Sequence, residues 1–237
     1  MNTANRTSRV LGIAFLLQFV TSFSSGVFLK PALITPGNIS ESMIKIANNP
    51  SLMRAYILVD VLTALGIIFL GVILFLTLRE RNETIALVAL GCYILEAALL
   101  AVSRLEAFSL LGMSQAYVAA GQPASLQTMA NVALASMDFV GSTLHMLAFC
   151  PGGILFYYLL YKSGVVPRVL SLWGLITVLP CLIGTLLVVF GYEAPTFLYI
   201  LYMPFELVIG VWILVKGVTI NGASETRQPS TIASVPA

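Results

Sequence analysis

Seven ionisable side chains lie within long apolar stretches of this 237-residue chain. They are Asp60, Glu96, Arg104, Glu106, Asp138, His145 and Glu206. A charge at the centre of a bilayer costs about 2.5–3.5 kcal/mol, so a membrane helix keeps one only where a partner, water or a ligand compensates it. Carboxyl groups in such positions bind cations or relay protons. The set therefore predicts a polar site inside the membrane.

The acids in this set outnumber the bases. Arg104 can neutralise one acid and a protonated His145 at most one more, whereas four acids lie deep in the apolar stretches: Asp60, Glu96, Asp138 and Glu206. At least two of them must be protonated, face water, or bind a cation or a ligand. A structural interpretation stays open, in which Arg104 pairs with Glu96 or Glu106 and the pair fixes how two helices meet.

The spacing of four of these residues predicts one pocket. Asp138 and His145 are seven residues apart, which is two turns of an α-helix, so they share a face. We expect Glu96 and Glu206, each on the small-residue face of its own helix, to flank that face. Three acids held close together cannot all be ionised without a counter-charge, so the pocket should share protons and bind its ligand in a pH-dependent way.

The elements that must position these residues are membrane-spanning helices. The chain is 59% hydrophobic and 9% charged, and a spanning helix needs about 20 mostly apolar residues. Six stretches qualify: 8–29, 54–78, 84–111, 127–161, 167–190 and 195–217. They lack the alternation of a spanning β-barrel, so the predicted fold is an all-α integral membrane bundle. The third and fourth are too long for the membrane alone and must tilt, break or project into water.

The basic residues predict the orientation of the bundle. If the N-terminus is cytoplasmic, only Lys30, Lys45 and Arg54 fall on the outer side. Eight basic residues then fall on the cytoplasmic side: Arg6, Arg9, Arg79, Arg81, Lys162, Arg168, Lys216 and Arg227. This excess satisfies the positive-inside rule, so both termini are predicted to be cytoplasmic.

A short amphipathic helix is predicted on the outer side, between the first two spans. Asn38 and Glu41 have the spacing of a capping box, and Ile39, Met43 and Ile46 then share one apolar face. The chain is thereby divided into a six-helix transmembrane domain, residues 1–217, and a polar tail, residues 218–237, whose composition is typical of disorder.

The fourth span carries Pro151 followed by two glycines. Proline has no N–H group, so the carbonyl of Leu147 loses its helical hydrogen bond. Broken helices are tolerated in membranes where they line a cavity or pack into protein. We therefore expect this helix to be interrupted and to bend near Pro151, with a cavity beside it.

Several kinds of chemistry find no support in the sequence. A single histidine excludes HExxH and paired-histidine metal sites. The sequence has no CxxC pair, P-loop or dinucleotide-binding motif, and a net charge of +2 gives no basis for nucleic-acid binding. No catalytic residue, metal ligand or cofactor is predicted, and the predicted partner is the lipid bilayer.

Three stretches carry a resemblance to a known family. They are YILEAALL at 93–100, LLYKSGVVPR at 159–168 and ELVIGVWILVKG at 206–217, and GNI at 37–39 accompanies them. In this order and spacing they resemble the bacterial membrane proteins grouped as domain of unknown function 4386, over nearly the whole chain. The resemblance implies six helices and a location in the bacterial inner membrane. It implies no activity.

Three interpretations of function remain open. The first is a protein that binds or transports a small amphipathic or cationic molecule, or a proton, through an acid-rich intramembrane pocket. The second is a structural or regulatory membrane module whose acids are satisfied by neighbouring helices. The third is an intramembrane enzyme, although no GxSxG motif surrounds the available serines. The excess of acid over base favours the first.

Reporter fusions test the predicted orientation. Fusions at Gly37 and Gly121 should report an outer location and a fusion at Asn82 a cytoplasmic one, because successive loops alternate sides. Paired reporters active only outside or only inside the cell give the measurement. A reversal at any of these three positions would overturn the helix count.

Overall fold

The protein is a bundle of helices. A computed structural model describes residues 3–218, with side chains from Arg9 onward. Within those residues there is no strand, and six helices are long and apolar enough to cross a membrane. The predicted all-α fold and its six spans are therefore confirmed. Apart from Val218, the predicted polar tail lies outside the described residues.

Seven helices are distinguished here, of which α2 is short and the other six are the spans. α1 consists of Thr3–Phe23, a π-helical turn Ser24–Leu29 and Lys30–Leu33, and α2 is Ile39–Asn48. α3 is Pro50–Leu78 and α4 is Glu83–Ala119. α5 consists of Ala124–Asp138, a π-helical turn Phe139–Leu144 and His145–Ser163. α6 is Arg168–Val189, and α7 consists of Phe197–Ile200 and Met203–Lys216.

Local sequence signals set the ends of several helices. The Asn82 side chain accepts a hydrogen bond from the N–H of Ile85 and so caps α4. Pro50 stands in the first turn of α3, where its missing N–H has no helical partner to lose. Gly164 ends α5 with φ of 67°, a left-handed conformation that glycine adopts without strain. These signals keep the observed spans close to the predicted ones.

The outer helix α2 begins at a side-chain cap. The Asn38 side chain accepts a hydrogen bond from the N–H of Glu41 at 3.0 Å. Glu41 does not complete the predicted capping box, because the N–H of Asn38 donates to the carbonyl of Thr35 instead. The Lys45 ammonium lies 2.9 Å from the Glu41 carboxylate and, through that hydrogen bond, lowers the pKa of Glu41.

A small hydrophobic core lies between α2 and the outer ends of α4 and α5. Met43 and Ile46 of α2 are fully buried there against Leu110 and Tyr117 of α4. The Tyr117 hydroxyl hydrogen-bonds Ser40 at 2.8 Å. At about 1.5 Å per residue, the 37 residues of α4 exceed the ~30 Å hydrocarbon layer. The excess length of α4 therefore projects beyond that layer, and α2 packs against it.

The six spans pack as a ring in chain order. α4 packs against α3 and α5, α5 against α6, and α1 against both α3 and α7, so that α7 closes the ring through α1. α1 and α7 approach closely at Gly12 of α1, where a Cβ atom would lie 2.7 Å from the backbone nitrogen of Leu214. Small residues allow such contacts between membrane helices. Glu96, His145 and Glu206 of the predicted site line a cavity in the interior of the ring.

Substituting Gly12 tests this closure. Gly12→Ala should destabilise the protein by about 1–3 kcal/mol, because the new methyl group meets backbone atoms that cannot move aside. Gly91→Ala is the matched control, since nothing lies within 4 Å of a Cβ at that position and alanine is the better helix former. Thermal unfolding in detergent should show a lower Tm for Gly12→Ala alone. Equal melting temperatures for the two variants would rule out the close contact.

Candidate functional site

Asp60 and Arg104 form a buried ion pair between α3 and α4. Arg104 Nη1 donates to Asp60 Oδ2 at 2.6 Å, and both side chains are almost fully buried. The other two guanidinium nitrogens also donate hydrogen bonds: Nε and Nη2 donate to Ser103 Oγ at 3.0 and 2.8 Å. The guanidinium carbon lies 5.0 Å from the centre of the Tyr56 ring. Each nitrogen of the guanidinium group therefore has a hydrogen-bond partner.

The structural interpretation made from sequence paired Arg104 with Glu96 or Glu106. The structure corrects this, because Arg104 pairs with Asp60. Glu106 follows Arg104 by two residues and so projects from a different face of α4. Asp60 lies 22 residues before Asn82 and Arg104 22 residues after it, so the α3–α4 hairpin brings them to the same depth. Glu106 is half-buried and lines neither of the two intramembrane cavities described below.

Asp138 is separated from the other predicted site residues. Its Oδ1 lies 2.6 Å from Lys30 Nζ in a partly exposed ion pair between α5 and α1. The expectation that Asp138 and His145 share a face is therefore corrected. The reason is the π-helical turn Phe139–Leu144. Such a turn holds about one residue more than an α-helical turn, which rotates His145 by about 100° relative to Asp138.

Helix α5 departs from regular geometry upstream of the predicted position. The segment His145–Ser163 is α-helical through Pro151, so the proline does not interrupt it. The departure lies in the π-helical turn Phe139–Leu144, which packs against Arg104 and Ser103. A Cβ atom at Gly141 would lie 2.5 Å from Arg104 Nη2 and 2.6 Å from Ser103 Oγ. Only glycine fits at this contact.

Glu96, His145 and Glu206 line one cavity of about 250 Å³ inside the ring of spans. They come from α4, α5 and α7, each from the face on which small residues lie. Aromatic and sulfur-containing side chains supply most of the remaining wall: Met146, Phe149, Cys181, Tyr199, Tyr202 and Met203. Three of the four residues expected to converge therefore do so.

A second, more polar cavity of about 150 Å³ adjoins the first. It contains the Asp60–Arg104 pair and is bounded on its outer side by Lys30. The two cavities have four lining residues in common: Gln18, Ser22, Glu96 and His145. These four side chains form the wall between the cavities, which we call the shared wall.

Three buried polar atoms at the shared wall have no hydrogen-bond partner among the described residues. They are Gln18 Oε1, Glu96 Oε2 and His145 Nδ1. The Gln18 and Glu96 side chains are 7% and 5% exposed. Nearly all buried polar groups in proteins are hydrogen-bonded, so each exception needs its own explanation. Three exceptions at one wall, facing cavities, indicate a place where something binds.

Tyrosine hydroxyls orient Glu206 at the other side of the larger cavity. The Tyr202 hydroxyl donates to Glu206 Oε1 at 2.9 Å. Because that hydroxyl has one hydrogen, the 2.5 Å bond between Tyr157 and Tyr202 must have Tyr157 as its donor. The spacing of Tyr202 and Glu206, four residues apart, could have revealed this contact from sequence. Gln18 offered no such signal, because a neutral amide on a small-residue face resembles ordinary packing.

The arrangement offers no group of side chains suited to a metal ion. Between residues 3 and 218, no three His, Cys, Asp or Glu side chains are placed to hold one. What the cavities can do is accept hydrogen bonds and exchange protons at buried carboxyl groups.

The protein-family model described as Domain of unknown function (DUF4386) matches residues 10–217. The chain belongs to this family. The match extends over all six spans and so includes every side chain of both cavities. No curated protein and no solved structure matches this DUF4386 protein.

The Asp60–Arg104 and Lys30–Asp138 ion pairs should respond differently to loss of their acids. Asp60→Asn leaves the Arg104 charge buried without a counter-charge, which should cost about 3–5 kcal/mol. Asp138→Asn breaks a partly exposed pair and should cost about 1 kcal/mol or less. Thermal unfolding of both purified variants in the same detergent gives the comparison. A larger loss of stability for Asp138→Asn would contradict the assigned roles.

Proposed function

We propose that this DUF4386 protein binds a small molecule or a proton at Glu96, His145 and Glu206, as the binding step of a carrier in the bacterial inner membrane. The observation that carries the proposal is the buried Glu96 Oε2, which has no partner within the described residues. A buried carboxylate without a counter-charge is strongly disfavoured. Glu96 must therefore hold a proton or face a cationic ligand.

The charge balance of the interior supports the same site. Arg104 neutralises Asp60, and Lys30 neutralises Asp138. Glu96 and Glu206 remain in one cavity, close enough for their charges to repel. The other titratable groups near Glu96 are Cys92 and Tyr93 on its own helix, and His145, Cys150 and Tyr157 on α5. Neither His145 nor any other described cation forms an ion pair with these two glutamates.

A series of cavities leads outward from this site, which favours a carrier over a static module. A third cavity of about 460 Å³ is lined by Lys30, Asp138 and the loop around Gly37. It has Lys30 in common with the polar cavity at Asp60. The half-exposed Lys30–Asp138 pair stands between the two, and such pairs contribute little stability, so they open readily.

The structural alternative accounts for two of the acids. Asp60 is paired with Arg104, and Asp138 forms a contact between α1 and α5. Both fit a role in holding helices together. The proposal therefore rests on Glu96, His145 and Glu206, with Gln18 added from the geometry.

Infrared spectroscopy across a pH titration tests proton binding. The carbonyl band of protonated carboxyl groups should decrease as pH rises from about 5 to about 9, as one of two interacting acids releases its proton. Glu96→Gln and Glu206→Gln should each change this difference spectrum. The same variants in vesicles with an entrapped pH indicator report whether the proton crosses the membrane.

Glu106→Gln is the matched control, because it removes a glutamate from α4 outside both cavities. It should leave the difference spectrum unchanged. If Glu96→Gln and Glu206→Gln prove indistinguishable from Glu106→Gln, these acids do not exchange protons and the structural module takes the place of the carrier.

A further inference from the structure

The 250 Å³ cavity has two chemically different sides. On the shared wall, Gln18 Oε1 and Glu96 Oε2 are buried oxygen atoms without a partner in the described structure. Facing them are apolar and aromatic side chains, among them Phe149, Tyr199 and Met203. A ligand that fits both sides has a polar head and an apolar body.

The polar side calls for a donor with a positive charge. Gln18 Oε1 and an ionised Glu96 can only accept hydrogen bonds. Glu206 adds a second carboxyl group across the cavity. An anionic head would face two acids and leave the oxygen atoms of the shared wall without hydrogens. An ammonium group supplies three N–H donors and the counter-charge together.

The apolar side of the cavity suits the hydrocarbon part of an organic molecule and does not suit a metal ion. A small hard cation needs several oxygen ligands or its own water shell. Phe149, Met146 and Met203 supply neither. Aromatic faces do attract organic cations and pack against hydrocarbon. The Phe149 and Tyr202 rings already meet edge to face, with centres 5.1 Å apart.

The volume of the cavity limits the size of the ligand's apolar part. An apolar cavity of about 150 Å³ is large enough to hold benzene. The cavity here has about 250 Å³, which leaves room for one ring or a short alkyl chain together with an ammonium head.

Building on the proposed function, we infer from these observations that the ligand of the 250 Å³ cavity is a small amphipathic amine, about the size of an arylalkylamine. Its ammonium group lies at Gln18 and Glu96 on the shared wall. Its apolar body lies against Phe149, Tyr199 and Met203. The neutral amide of Gln18 positions the head, and Glu96 supplies the charge.

2-Phenylethylamine is the probe, with 2-phenylethanol and phenylacetate as neutral and anionic counterparts of similar shape. Calorimetry on the purified full chain, in one detergent throughout, should show saturable binding of the amine alone. Ammonium chloride, which lacks the body, should bind far more weakly. Equal binding of the alcohol, or binding of phenylacetate, would overturn the amine assignment.

Variants locate the binding. Glu96→Gln should weaken amine affinity by about tenfold or more, because one charge-assisted hydrogen bond is lost. Glu106→Gln should bind as the unaltered protein does, which corrects for partition of the amine into the micelle. If Glu96→Gln fails to fold, Gln18→Leu removes the neighbouring acceptor without removing a charge and should also weaken binding. Unchanged affinity in both variants would place the amine elsewhere.

The amine assignment and the carrier proposal can fail separately. If the infrared titration shows exchange at Glu96 while no amine binds, the ligand class is wrong and the proton site stands. If neither the titration nor the amine distinguishes Glu96→Gln from Glu106→Gln, both are wrong.

Discussion

The ion pair between Asp60 and Arg104 is the constraint on which the polar interior depends. Arg104 directs its guanidinium at Asp60 and Ser103. Because this buried cation is paired with Asp60 and forms no ion pair with Glu96 or Glu206, these two glutamates have to be neutralised by something other than the described cations. The pair also determines the shape of α5, since Gly141 approaches Arg104 too closely for any side chain.

Both π-helical turns lie beside this ion pair. Ser25, in the turn Ser24–Leu29, lines the polar cavity together with Asp60, and the turn Phe139–Leu144 packs on Arg104 through Gly141. Lys30 follows the first turn and Asp138 precedes the second. Since α1 and α5 run antiparallel, both residues lie on the same side of the two turns, where they pair. π-Helical turns are rare and occur often at functional sites.

Hydropathy alone predicts most of the span ends to within about five residues, because twenty apolar residues in a row have few other uses. The exception is α4, which ends at Ala119 and not at the predicted residue 111. The convergence of Glu96, His145 and Glu206 is also predictable, since each lies on the small-residue face of its helix. The position of Asp138 is not, because helical periodicity assumes regular turns and a π-helical turn is imposed by tertiary packing. The partner of Arg104 was within reach of sequence reasoning, through the symmetry of the α3–α4 hairpin about Asn82.

Under the proposed function, proton binding and amine binding meet the same electrostatic requirement. Glu96 lies at the shared wall and cannot stay ionised there without a positive charge close by. A proton supplies that charge on the carboxyl group itself, and an ammonium supplies it across a hydrogen bond. Both species therefore compete for one carboxyl group. A ligand that arrives as a cation displaces a proton, and this exchange is the elementary step of a proton-coupled carrier.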